Sequence, residues 1–258
     1  MPLLPTTLVY PEAETSKLEA LRQLFQDWMQ ASIQAEPEMK ELIEGMVFDG
    51  FYPHYFSRRP KILFIGREAR EIEGFNYLDL LHAAYRRGKH IGSQHLNQNL
   101  FHRRMLYTAH GLLNGFPDWR DIPDASVIGD TFGTPDGVSF AFMNLSKFSN
   151  ESEFWPSNWR MIQDAVRLAT QQRKFIAEEI AILQPDLVIS MNLEGFFSAL
   201  GEQVTPLPST SRDVSAWRLI SQGHASLLLD SFHFSAPGKR DLEHFYLPIC
   251  DAVRRHLT

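Results

Sequence analysis

A single α/β domain with a central, mainly parallel, four-stranded sheet flanked by helices is what this 258-residue sequence predicts. Two observations carry that reading. Four short, unbroken apolar runs recur along the chain, at Ile62–Gly66, Val138–Leu145, "QPDLVISMN" around Pro185 and "ASLLLDSFHFSAPGK" from Ala225. Between them lie segments whose apolar residues fall at helical spacing. Continuous rather than alternating apolar strands are what a sheet covered on both faces requires, and the intervening helices supply the crossovers that parallel strands need.

The elements follow in order. Ser16–Gln34 places Leu18, Leu21, Phe25, Trp28 and Met29 close to a helical period, and "EPEMKELIEGMVFDGFYP" suggests a short helix ending in a turn. This helical extension, about residues 1–55, is expected to pack on the sheet. The first strand, Ile62–Gly66, stops at its glycine, and helices are expected over Tyr77–Arg87 and Asn97–Leu113. After the second strand, Trp159–Leu183 reads as one long helix with Met161, Ile162, Ala165, Val166, Leu168 and Ala169 on its early apolar face. Asn192 and Glu194 suit the cap and first turn of a helix over "EGFFSAL".

Composition narrows the functions. The chain is 44% hydrophobic and 22% charged, an ordinary globular balance that implies a sizeable core. Its one cysteine, Cys250, cannot form an internal disulfide, and no Cys/His row has metal-ligand spacing, which excludes zinc ribbons and four-thiolate clusters. A reducing cytoplasm is expected, with no metal and no cofactor. "MPLLPTTLVYPEAETSK" lacks a basic start followed by a long apolar run, and nowhere do about 18 apolar residues follow one another. Neither export nor membrane spanning is indicated, and a monomer is expected. The absence of G-x-S-x-G argues against a serine hydrolase, and the absence of G-x-x-x-x-G-K-S/T excludes a P-loop NTPase.

A net charge of -6 argues against coating nucleic acid by bulk electrostatics, yet the charge is uneven. Leu80–Pro117 holds no acidic residue but carries Arg86, Arg87, Lys89, Arg103 and Arg104, with Tyr85, Phe101 and Tyr107 interleaved. Either a solvated face balanced by acids elsewhere or a phosphate-binding surface fits this stretch. Lys239 and Arg240 are further candidates for phosphate contact.

Open parallel sheets bind ligands beyond the carboxyl ends of their strands. At those ends stand Gly66, Arg67 and Glu68; Asn144 and Ser146; Asn192 and Glu194; and His233 and Ser235. A carboxylate, an amide and an imidazole brought together there can activate water, read a polar heterocycle and stabilise a leaving anion.

The order of these motifs resembles the uracil-DNA glycosylase superfamily. "FIGREAR" stands where that family has G-Q-D-P-Y or its variants, "FAFMNLSKF" is similar to its strand ending in Asn, Trp159 and "PDLVISMN" match a Trp-bearing helix and later strand, and "HFSAPGK" is similar to its closing H-P-S-P. The resemblance spans Lys61–Lys239. It implies a uracil-DNA glycosylase-like fold, DNA as partner, and hydrolysis of the bond between a flipped-out altered base and its sugar. It further implies that Gly66 makes the strand exit, Glu68 orients the attacking water, Asn144 reads the base edge, His233 donates to the departing base and Ser235 lies in the loop that presses on DNA. Arg67 adjoins this set, and Phe75, with Tyr77 next, is the candidate stacking face. Ala69-Arg70 replaces the usual Pro-Tyr or Pro-Gly, and the closing motif has Phe234 for Pro and an added Ala236. Two other classes fit the same residues: a non-catalytic member of that fold that binds a base, nucleotide or nucleic acid, and an unrelated α/β hydrolase or transferase acting on a small anionic substrate.

Overall fold

The computed structural model describes residues 6–152 and 156–257. Helices α1 (Glu12–Ala35) and α2 (Lys40–Glu44) open the chain, followed by strands β1 (Gly50–Phe51) and β2 (Ile62–Arg70). Helix α3 (Tyr77–Ala83) runs into a π-helical turn and a small hairpin, β3 (His90–Ile91) and β4 (Gln94–His95). Helices α4 (Leu100–Leu113) and α5 (Ala125–Asp130) lead to β5 (Ala141–Asn150). Helices α6 (Trp159–Gln171) and α7 (Phe175–Leu183) then cross to β6 (Leu187–Met191). Helix α8 (Phe197–Leu200), strands β7 (Gln203–Leu207), β8 (Val214–Ser221) and β9 (His224–Ser231), and helix α9 (Leu247–His256) complete the order.

The central sheet has seven strands, in the order β1-β5-β2-β6-β9-β8-β7. Its centre, β5-β2-β6-β9, is parallel throughout, and these are the four apolar runs of the sequence. The expected count of four is corrected by β1, β8 and β7, which pair antiparallel at the two edges. Their absence from the sequence reading has a physical cause. Strand β8 alternates buried and exposed residues, β7 is largely exposed and carries Pro206, and β1 is two residues long, so none presents a continuous apolar run.

Two expected boundaries also move. Strand β2 does not stop at Gly66 but continues through the charged residues to Arg70, paired with an equally extended and fully buried β5. The expected helix Trp159–Leu183 is two helices. Polar Gln172, Arg173 and Lys174 separate α6, buried along one face through Ile162, Ala165 and Leu168, from α7, which buries six of its nine residues.

Helix α1 places Leu21, Phe25 and Trp28 in the core, with the Trp28 ring stacked on Phe175 of α7, centroids 5.4 Å apart at 5°. No helix among the described residues is long and apolar enough to cross a membrane. Adjacent strands β2 and β6 lead to β5 on one side and β9 on the other. That divergence opens a crevice at the carboxyl ends of the strands.

Candidate active site at the strand ends

Register brings the first two site residues together. Gly66 of β2 lies opposite Asn144 of β5, and the ladder slips by a β-bulge after Glu68, which re-aims the end of the strand. A Cβ on Gly66 would sit 2.5 Å from Asn144 Oδ1 and 3.2 Å from the Phe142 ring, so only glycine lets the amide lie across β2. The backbone N–H of Asn144 donates to Asp49 Oδ2 at 2.7 Å, and Asp49 Oδ1 accepts from Lys147 Nζ at 2.5 Å. Asn144 is 3% exposed, and its Nδ2 has no hydrogen-bond partner among the described residues. Leaving such a donor unmade costs about 1–3 kcal/mol, which a ligand acceptor would recover.

Glu68, Asn144, His233 and Ser235 line one cavity of about 480 Å³. Tyr77 and Phe101 supply its aromatic walls. Tyr77 stacks on Phe142 at 5.2 Å and 21°, and Phe101 lies 5.3 Å from the His233 ring. Glu68 uses one oxygen to accept from the Asn158 backbone at 3.2 Å and from Asn150 Nδ2 at 3.4 Å. Its other oxygen, Oε2, is buried without a partner among the described residues. The carboxylate is thus fixed on one side and uncommitted on the other.

The tautomer of His233 follows from its contacts. The Ser235 backbone N–H points at Nδ1 from 3.3 Å, which makes Nδ1 the acceptor and leaves the proton of the neutral ring on Nε2. Ser235 Oγ sits 2.7 Å from the same nitrogen. Burial, and next the charge of Arg67, push the imidazole pKa down to about 3. A neutral ring that donates from Nε2 results. His102, also on the cavity wall, is pushed to about 3 by burial and has its Nδ1 2.6 Å from the Tyr85 hydroxyl.

The loop that carries His233 is held from beneath by α4. Arg104, 2% exposed, donates to the carbonyls of Phe234 at 2.6 Å, Ala236 at 3.1 Å and Lys239 at 2.5 Å, and pairs with Asp241 at 2.7 Å. Arg103 pairs with the same Asp241 at 2.8 Å. Both were expected to contact phosphate. Instead they lie where the loop presents carbonyls and a carboxylate, and Arg104 is wholly committed there. Lys89 pairs with Asp130 at 2.7 Å and donates to the carbonyls of Tyr85 and Ser126, while Arg86 donates to the Asp130 carbonyl. Arg87 and Arg240 are exposed, the latter bridged to Glu243 at 3.1 Å, and Lys239 Nζ sits 3.8 Å over the Phe232 ring. Lys89, Arg103 and Arg104 are thus paired with Asp130 and Asp241 from outside the acid-free stretch, while Arg87 is exposed.

Phe75, the first candidate for the stacking face, is 58% exposed and does not line the cavity. Tyr77 does, and so does Phe101, which the sequence marked only as an aromatic interleaved with basic residues. Asn192 and Glu194 do not line it, and Asn192 takes a left-handed φ of 60° ahead of a short helical turn rather than capping it. Comparison of the chain with protein-family models, with curated proteins and with solved structures found no match.

Proposed function

We propose that this chain is a DNA glycosylase-like hydrolase of the uracil-DNA glycosylase type, cleaving the N-glycosidic bond of a flipped-out uracil or other altered base. The observation that carries the reading is the convergence of Glu68, Asn144 and His233 on one cavity beside the faces of Tyr77 and Phe101. Breaking a base–sugar bond builds positive character on the sugar and negative charge on the base. An anion on one side and a donor on the other therefore lower the barrier only as the charge develops.

In this reading Glu68 Oε2, buried and unpartnered, orients the water and faces the sugar. Asn144 Nδ2 reads an acceptor on the base edge, its position fixed through Asp49. Tyr77 and Phe101 hold the planar ring. His233, neutral with its proton on Nε2, donates to the oxygen that gains charge as the base leaves. A neutral donor suits this step, because it does not require a buried imidazolium in the ground state. Reaching such a cavity from a duplex requires the base to rotate out of the stack.

The test is release of free base from single- and double-stranded DNA carrying uracil or other altered bases. Glu68→Gln and His233→Ala should each lower release by about 100-fold or more. DNA binding without release from any substrate would replace this reading with a non-catalytic binder. Absence of both would replace it with a hydrolase or transferase on a small anionic substrate.

A further inference from the structure

The same cavity holds a cation that the glycosylase reading leaves unused. Arg67, next to Glu68 on β2, lines it together with Arg70, so two guanidinium groups and one carboxylate face the space. Arg67 is half-buried and its guanidinium lies 4.6 Å over the Trp159 ring, which fixes its plane. Its one hydrogen bond among the described residues is Nη1 to Ser157 Oγ at 3.3 Å, and its Nε is buried without a partner. Glu68 and Asp230 are the acids whose charge reaches it, yet neither forms an ion pair with it. Burial accordingly disfavours its charged form. Charges removed from water are normally paired, and a planar guanidinium held on an aromatic face with spare donors is built to grip an oxyanion in two-point fashion.

Ala69 is 1% exposed and turned into the core, so Arg67, Glu68 and Arg70 are the residues of this segment that line the cavity.

We propose that the substrate presents an oxyanion, a carboxylate on the base or a phosphate of its nucleotide, to Arg67, and that the cavity binds ligands that carry one more tightly than matched ligands that do not. This rests on the glycosylase reading for the orientation of the base, but its test needs no bond cleavage. The probes are free ligands in matched pairs, measured by titration calorimetry with the full chain. For the base, 5-carboxyuracil and orotate are set against uracil and uracil-5-carboxamide. For the phosphate, uridine 5′-monophosphate is set against uridine.

The wild-type protein should bind the anionic member of one pair at least tenfold more tightly than its neutral partner, and the pair that shows it identifies the source of the anion. Arg67→Gln should abolish that preference while leaving the weak binding of the neutral ligand within about twofold. Arg67→Lys should retain part of it, because charge survives while the planar fork is lost. The melting temperature of Arg67→Gln without ligand should be unchanged or higher, since an unpaired cation has been removed. Equal binding of anionic and neutral members in the wild type, or a preference that survives Arg67→Gln, overturns the proposal. Failure of the glycosylase reading shows separately, as absence of base release from DNA, whatever these titrations give.

Discussion

Asp49 accepts the backbone N–H of Asn144 with one carboxylate oxygen, at 2.7 Å, and the Lys147 ammonium with the other, at 2.5 Å. Asn144 is thereby tied to a buried charge cluster three residues along its own strand. Lys147, Asp49 and Glu179 are each at most 2% exposed, and Glu179 lies 2.8 Å from the ammonium. Burial raises the Glu179 carboxyl well above its ordinary range against the pull of Lys147. Phe25 and Trp28 of α1 face the ammonium at 5.3 Å and 5.6 Å, which gives the amino-terminal helix a part in placing Asn144.

Lys147→Met is expected to destabilise the protein by about 3–5 kcal/mol, because it leaves a buried carboxylate unpaired. Asp49→Asn combined with it should cost less than the sum of the two changes, with a coupling of about 1–3 kcal/mol. Urea denaturation of the four proteins in the cycle measures this. Additive losses would mean that Asp49 and Lys147 do not act as a pair.

Gly66→Ala tests the contact between β2 and β5. The added methyl would fall 2.5 Å from Asn144 Oδ1 and 3.2 Å from the Phe142 ring, so the amide must move. A stability loss of about 1–3 kcal/mol is expected from overpacking. Base release should fall further than that loss explains, by tenfold or more at temperatures where the variant is fully folded. Full activity in a folded Gly66→Ala protein would remove Asn144 from base recognition.

The parallel centre of the sheet was legible in the sequence because β2, β5, β6 and β9 are buried on both faces and read as unbroken apolar runs. The edge strands were not, because half-exposed strands break such runs. Glu68, Asn144 and His233 could be found from their place near strand ends, a property of chain order. The residues that hold them could not. A lysine in "NLSKF" and an aspartate in "FDGF" look like surface charges until the fold buries Lys147 and Asp49 against each other. Likewise nothing local distinguishes Arg104, spent on loop carbonyls, from Arg87, exposed to solvent. Phe75 and Tyr77 differ only in which way two neighbouring positions face at the start of α3.

Arg104→Lys should loosen the His233 loop although charge is conserved. A lysine ammonium cannot reproduce the fork that reaches the carbonyls of Phe234, Ala236 and Lys239 while pairing with Asp241. Hydrogen exchange should quicken over residues 233–241 with little change in the strands of the parallel centre, and base release should drop with it. Unaltered exchange in that loop would show that Arg103 and Asp241 suffice to hold it.

Two imidazoles on the cavity wall set an acid-side stability limit. His102 and His233 are both pushed down to about 3 by burial, with Arg67 adding to the effect at His233. In the unfolded chain each takes up a proton near 6.5. Between those values the unfolded state binds more protons than the folded one, so stability rises with pH across the window. Their contribution is fully present above about 6.5 and is lost as pH falls toward about 3. Denaturation midpoints should therefore decline between pH 7.5 and 5, before most carboxylates titrate. His102→Gln, which retains an acceptor for the Tyr85 hydroxyl, should flatten that decline by about one proton's worth of slope. An unchanged slope would mean that His102 is protonated in the fold. That outcome is hard to reconcile with a ring that is 5% exposed and pairs with a tyrosine hydroxyl at 2.6 Å. Base release should follow a different course. Burial pushes the His233 pKa down to about 3, so under the proposed function the rate profile of base release from the folded protein should show no inflection near pH 6.5.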